Sequence, residues 1–351
     1  MLQALFHAWE RRLASVTTDR VVRPFEWGLD WIPPNGNSGQ ADPANALGDW
    51  VSRVMADTNA FYAAPPTRDY TVEARVDGTG RVMFPSAFVT PHPDNNTVRC
   101  RYFPARRSTA AVLVLPHWNA DAEAYGGLCR LLAWNGLSAL RLSLPYHDER
   151  TPPELRRADF IVSSNIARTV QVCRQAVLDA RRAIGWLASR GYDRIGILGT
   201  SLGSCLALLT TAHEPLVRAQ ALNHISPFFA DVVWRGLSTS HVRQGLDGHI
   251  DLEHLRELWK PISPWWYLER VRDRQTLLVY ARYDLTFPVD LSRDLVHAFR
   301  DRNIPHQVAE LPCGHYSTGY TPFKYIDGWV LTRFLKNALR RDPATGTSAD
   351  R

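Results

Sequence analysis

Cysteine is scarce and unpatterned: the chain has 5, an odd number, with no Cys-x-x-Cys pair. That fits neither a disulfide framework nor a zinc site, so a reducing compartment, and hence a cytoplasmic location, is the expectation. The N-terminus, Met1-Leu2-Gln3-Ala4-Leu5-Phe6, lacks the basic start and unbroken apolar stretch of a secretory leader. No uncharged apolar run reaches the roughly 18 residues that a membrane-spanning helix needs. Concentrated charge is also missing. Lys and Arg total 41 against 35 Asp and Glu, a formal balance of +6, but the arginines are scattered in short groups such as Arg106-Arg107, Arg181-Arg182 and Arg340-Arg341. Nucleic-acid binders gather such residues on one face or helix, so no nucleic-acid partner is expected. The scatter reads as solvated surface, with room left for a weak contact with an anionic or membrane surface.

The 351 residues, 45% hydrophobic and 22% charged, provide a sizeable core for one large α/β domain with additions or for two smaller ones. Leu2, Leu5, Phe6, Trp9 and Leu13 recur at helical spacing, giving an amphipathic N-terminal helix. Its apolar face is expected to pack on the core, with a membrane surface or a partner subunit as alternatives. Residues 22–68, rich in Pro, Gly, Asn and Trp, read as an irregular arm. The organisation expected is a helix and arm at 1–68, a main domain at 69–341 and a disordered polar tail at 342–351.

Alternating strands are expected at 70–76, 81–88 and 97–103, with a turn at Asp77-Gly78. Beyond residue 110, short apolar runs at 111–115, 138–144, 195–198, 217–225, 276–280 and 306–311 alternate with amphipathic stretches. That order implies a mostly parallel central sheet with helices on both faces. The stretch 228–270 interrupts it and contains Trp234, Trp259, Trp265 and Trp266. An insertion at the carboxyl end of a strand lies where open α/β sheets bind ligands, so it is expected to form a helical cap over the site.

Gly199-Thr200-Ser201-Leu202-Gly203 matches Gly-x-Ser-x-Gly between an apolar run and a Leu/Ala-rich helical stretch. Three fixed positions alone are weak, but the strand-turn-helix context is what a nucleophilic serine needs to project above a sheet. A serine hydroxyl needs a base. His315, in Leu311-Pro312-Cys313-Gly314-His315, is the one histidine between the last expected strand and the last helix. His213, His241, His249, His254 and His297 fall in helical or cap segments and read as surface. The imidazole needs an acceptor to fix its tautomer, and Asp284 follows a buried strand in Ala281-Arg282-Tyr283-Asp284-Leu285-Thr286-Phe287-Pro288. Asp290 is the rival, though as the start of a helix it also reads as a charge complementing the helix dipole.

These residues resemble the α/β-hydrolase superfamily, over most of 97–340. The order Ser201, Asp284, His315 is the order of that superfamily; its usual glycine is alanine at Ala281, and the Gly-His pair is Gly314-His315. The resemblance implies the α/β-hydrolase fold and an oxyanion hole built from the amides of Leu202 and of Trp118. The superfamily's His-Gly-x is here His117-Trp118-Asn119, so Asn119 is the alternative second donor. His117, Trp118 and Asn119, with Tyr146 and His147 of the loop 145–150, are candidate substrate-binding residues. His117 also reads as a hydrogen-bonded structural histidine, and the loop as a polar turn. Cys205 reads as a small buried apolar residue. The function implied is hydrolysis of a small-molecule carboxylic ester through an acyl-serine, requiring neither metal nor organic cofactor. A membrane-surface lipase, an amide or thioester hydrolase, and a non-catalytic binding protein of the same fold are the alternatives.

Overall fold

A computed structural model describes residues 2–33, 42–76 and 78–340. The expected tail at 342–351, Asp77 of the expected turn and the part of the arm at 34–41 lie outside the described residues. Nine strands form one sheet in the order β1-β2-β3-β5-β4-β6-β7-β8-β9. Three of them, β1 (Thr71–Ala74), β2 (Gly80–Pro85) and β3 (Thr97–Phe103), form an antiparallel ladder that joins β5. The other six run parallel: β4 (Ala110–Leu115), β5 (Ser138–Leu142), β6 (Arg194–Thr200), β7 (Val217–Asn223), β8 (Gln275–Ala281) and β9 (Gln307–Leu311).

The alternation explains the layers. All residues of β4 and β5 are buried, because helices cover both faces of the parallel part. On one face lie α5 (Ile166–Ser189) and α6 (Leu202–His213), whose apolar residues share a core with Leu113, Leu115, Leu140 and Ile197. On the other lie α4 (Gly126–Trp134) and α11 (Phe323–Ala338), packed on Val112, Val114, Leu198 and Ala221. The helix α10 (Val289–Asp301) follows β8.

The segment between β7 and β8 holds α7 (Phe229–Arg235), α8 (Ser240–Leu246) and α9 (Leu252–Leu258). Trp259 is fully buried and joins the α5/α6 core, whereas Trp266 stays 46% exposed. The irregular arm needs correction. It contains α2 (Pro43–Ala56) and the single turn α3 (Thr58–Phe61), and Leu47, Trp50, Val51 and Val54 form the buried face of α2. Those four recur at 3, 1 and 3 residues, one stripe of a helix; the Pro- and Gly-rich stretch before it masks the short period.

The N-terminal helix forms as α1 (Leu2–Ser15), and the Phe6 and Trp9 part of its apolar stripe docks on the main domain while its first turn does not. Leu2 and Leu5 are 57% and 63% exposed, and Glu10 and Ala14 are buried. Phe6 stacks on Tyr283 at 4.5 Å. The contact follows shape and a buried carboxylate rather than hydropathy alone.

One ion pair ties the loop after β5 to the sheet's helical cover. Arg150 and Asp179 of α5 have fully buried side chains and meet at 2.8 Å. Arg150 also donates to the backbone oxygens of Asn95 and Ser143. Removing one partner strands a buried charge. Arg150→Met is expected to destabilise the protein by about 3–5 kcal/mol in urea unfolding, and the double replacement Arg150→Met/Asp179→Leu to recover a large part of that loss.

Candidate active site

The turn from β6 into α6 places Ser201. Its backbone has φ 58 and ψ −121, a region that a non-glycine residue enters only when the surroundings hold it there. The holding contacts are the Ser201 amide donating to Asn223 O at 2.7 Å and Ser204 Oγ donating to Ser201 O at 2.6 Å. A Cβ on Gly199 would lie 2.1 Å from Gly203 O, and one on Gly203 2.3 Å from Leu115 O. Both motif glycines are therefore required for strand, helix and neighbouring strand to approach this closely.

Three side chains converge on the edge formed by the strand ends. His315 Nε2 lies 3.1 Å from Ser201 Oγ, and His315 Nδ1 lies 2.9 Å from Asp284 Oδ2. Asp284 Oδ1 accepts the amides of Thr286 at 2.8 Å and Phe287 at 2.7 Å. The Phe287 ring stacks parallel to the His315 imidazole at 5.4 Å. Asp290 lies elsewhere: it pairs with Arg235 on the surface at 2.7 Å.

Sequence reasoning missed His224, just past the end of β7. Its Nδ1 lies 3.1 Å from Asp284 Oδ2, so one carboxylate oxygen faces two imidazoles. Nothing local marks it; its place beyond a strand end beside the nucleophile's strand was the available signal. Burial alone would raise the Asp284 pKa, but the His315 charge and the hydrogen bonds from both histidines bring it well below the usual carboxylate range. Burial lowers the pKa of His224, against the opposing hydrogen bond and charge of Asp284. Burial would also lower His315, yet the charge and hydrogen bond of Asp284, with the Glu10 charge, raise it. His224, Asp284 and His315 are the metal-ligand-type cluster of the described residues, their ligand atoms within 4.8 Å of one another. The N–O separations are those of hydrogen bonds, and with four donors the Asp284 carboxylate already has its acceptor sites engaged.

Glu10 was missed too. Its carboxylate, brought in by α1, accepts the amides of Tyr316 at 2.8 Å and Ser317 at 2.9 Å. A Cβ on Gly314 would lie 2.3 Å from Glu10 Cδ. The N-terminal helix thus clamps the loop that carries His315.

The loop 117–119 lies opposite. Among the described residues no acceptor partners the amide of Leu202 or of Trp118, whereas the Asn119 amide donates to His147 Nε2 at 2.9 Å. The latter bond withdraws Asn119 as an amide donor. His147, buried, donates from Nδ1 to Pro145 O at 2.8 Å, and burial lowers its pKa to about 3. With both ring nitrogens engaged, its direct contact is with the loop. His117 Nδ1 lies 2.8 Å from Tyr125 Oη. Trp118 donates from Nε1 to Ala158 O at 2.8 Å, and Tyr146 Oη lies 3.0 Å from His92 Nδ1. Two histidines read as surface are buried: His213 packs against Tyr62, and His241 stacks on Trp118.

Ser201 opens into a cleft of about 1940 Å3, which His117, Trp118, Asn119, Tyr146 and His147 also line. Phe228, Phe229, Val232 and Val233, from the segment before and within α7, form an apolar wall.

No family model matches the chain, and no curated protein matches it. Solved structures do. The acetyl xylan esterase 1 from Thermoanaerobacterium sp. JW/SL YS485 is 13% identical over 94% of this chain and 98% of that one, with TM-score 0.61. The acetyl xylan esterase from Paenibacillus sp. R4 is 15% identical over 88% and 97%, with TM-score 0.60. The Pyrococcus horikoshii acylaminoacyl peptidase is 15% identical over 81% of this chain, with TM-score 0.59, and the match spans 44% of the peptidase's length. At such identities the likeness is one of architecture, and with the mostly parallel sheet and its two helical layers it shows that the chain has the α/β-hydrolase fold.

Proposed function

We propose that this protein is a serine hydrolase that cleaves a carboxylic ester through an acyl-serine, with Ser201 as nucleophile, His315 as base and Asp284 as the group that orients the base. The observation that carries the reading is the hydrogen-bonded line from Ser201 Oγ through His315 to Asp284 Oδ2, at 3.1 and 2.9 Å. Ser201 Oγ attacks the ester carbonyl as His315 Nε2 takes its proton. The tetrahedral oxyanion is received by the amides of Leu202 and Trp118. His315 then gives the proton to the departing alkoxide, leaving the acyl-serine. Water attacks that ester by the same route and frees the acid and Ser201. Asp284 stabilises the imidazolium in both halves, and His224 holds Asp284 in register. The same atoms serve an amide or thioester; the apolar wall at 228–233, together with Phe287, favours an acyl chain with hydrocarbon. In this reading 228–270 acts as the cap, and 69–341 as the catalytic domain on which α1 and the arm dock.

Ser201→Ala is expected to abolish labelling by a fluorophosphonate probe and to lower ester turnover by roughly 10^3-fold or more, with the melting temperature retained. Labelling that persists would move the nucleophile elsewhere.

The free enzyme must hold His315 neutral, and the Asp284 charge raises its pKa above 6.5. The acid limb of kcat/KM is therefore expected above pH 6.5. Asp284→Asn should shift that limb to lower pH and cut turnover far more than Asp290→Asn; equal losses would reassign the acid.

Acyl selectivity tests the wall. At about 25 cal/mol per Å2 of buried apolar area, butyryl to octanoyl esters of one chromogenic alcohol should exceed the acetyl ester in kcat/KM. An acetyl ester turned over far better than the longer ones would remove 228–270 from the pocket.

A further inference from the structure

The acyl transfer above uses side chains at the ends of β6, β7, β8 and β9 and leaves a buried carboxylate beside them without a role. Glu10, on α1, is 0% exposed, and its carboxylate accepts the amides of Tyr316 at 2.8 Å and Ser317 at 2.9 Å. Both amides follow His315 directly in the chain. Other bonds of that turn close on itself: the Gly314 amide donates to Ser317 Oγ at 2.8 Å, and Thr318 Oγ1 donates to Gly314 O at 2.8 Å. Glu10 is thus the tie that anchors the turn to another element. Burying a carboxylate is costly, and a helix that served only to dock would present an apolar side chain at this position.

The same helix meets the loop of the acid. Phe6 stacks on Tyr283, the residue before Asp284, at 4.5 Å, and Trp9 meets Tyr320 edge-on at 5.7 Å. Four groups face the His315 imidazole from different elements: Asp284 from the end of β8, His224 from the end of β7, His117 from the loop after β4, and Glu10 from α1. Positive charge on either of the other histidines would oppose an imidazolium at His315. Burial lowers the His315 pKa as well, and the charges of Asp284 and Glu10 raise it. Beside Glu10, burial raises the pKa values of Cys313 and Tyr316, so neither adds a charge near neutral pH. Arg20 is a cation on this side, and it donates to Tyr316 Oη at 3.2 Å.

We propose that Glu10 is a positioning residue of the acyl transfer: delivered by α1, it holds the backbone after His315 so that the imidazole stays between Asp284 and Ser201, and its charge stabilises the imidazolium that each proton transfer creates. The assignment rests on the proposed role of His315 as base. It makes α1 part of the catalytic unit although no residue of that helix lines the cleft.

Glu10→Gln keeps the shape, replaces one acceptor oxygen by a donor and removes the charge. In that variant kcat is expected to fall roughly tenfold or more while KM changes by less than about twofold, as for an interaction made in the transition state. The acid limb of kcat/KM should move to lower pH, because one of the two carboxylates that raise the His315 pKa is gone. Glu10→Asp, which keeps the charge on a shorter stem, covers the case of a glutamine variant that fails to fold: kcat should fall with the limb close to its wild-type position. A purely structural clamp would lower the melting temperature and the fraction of protein labelled by a fluorophosphonate, and leave the limb in place. An unmoved limb in folded Glu10→Gln, or an unchanged kcat in either variant, would overturn the proposal. An NMR titration of the His315 imidazole in the Ser201→Ala protein, with and without Glu10→Gln, reads the same charge without turnover. A His315 pKa lowered by Glu10→Gln supports the coupling even where the wild type hydrolyses no ester and the Ser201 reading fails. An unchanged pKa refutes it even where esters are hydrolysed.

Discussion

Asp284 is a carboxylate placed where water cannot reach it, and much of the site's geometry follows from compensating its charge. A buried anion persists only with hydrogen bonds and nearby positive character. Here two amides from its own loop satisfy one oxygen, and two imidazoles share the other. The donors come from three strand ends, those of β7, β8 and β9, so the carboxylate acts as a node that fixes their loops relative to one another. His315 receives its orientation from this node, and only then lies 3.1 Å from Ser201. Glu10 repeats the device one layer out, as a buried carboxylate whose acceptors hold the backbone of the His315 loop.

The remaining buried charges differ in how far the protein compensates them. Arg150 and Asp179 are closed: the guanidinium is spent on the carboxylate and on two backbone oxygens, and the pair joins the loop 145–150 to α5. Arg141 and Asp148 make a second pair at 2.5 Å, with both side chains almost fully buried but with Arg141 Nε and Asp148 Oδ1 left without a partner. These pairs position the loop bearing His147, which in turn holds the amide of Asn119, while that of Trp118 has no acceptor among the described residues. Asp327 is the least compensated of them: its one hydrogen bond is from Asn223, and burial raises its pKa to about 7. The difference between a buried carboxylate that stays charged and one that burial drives toward its protonated form lies in how much positive charge the protein sets beside it.

The sheet and the Ser201 turn were legible in the sequence because their physics is local. Strand burial writes itself as apolar runs, and the Gly199 and Gly203 requirement follows from contacts within a few residues and one neighbouring strand. Asp284 and His315 were legible for a related reason: each follows a recognisable strand, and parallel strands bring such positions to one edge. His224 and Glu10 were not, since each matters through one partner distant in sequence, 60 residues away for His224 and 306 or more for Glu10. The α1 face was legible in part: Phe6 and Trp9 of the apolar stripe dock on Tyr283 and Tyr320, whereas Leu2 and Leu5 stay exposed and the burial of the Glu10 carboxylate was not foreseen. The α2 helix was hidden by the Pro and Gly residues that precede it, which signal a break but not how soon regular structure resumes.

The position of Ser201 between unlike walls constrains what the cleft can hold. On the α7 side the lining is Phe228, Phe229, Val232 and Val233, which reward burial of hydrocarbon and offer no donors or acceptors from their side chains. On the α11 side it includes Lys324, Asp327, Arg333 and Lys336, whose polar groups give an apolar occupant less to bury against. A ligand that is uniformly apolar or uniformly polar satisfies one wall and opposes the other. In the proposed reading an amphipathic ester would satisfy both, with its carbonyl at the junction of the two halves. That junction is where the strand ends converge, so the chemistry of the walls and the topology of the sheet select the same point for Ser201.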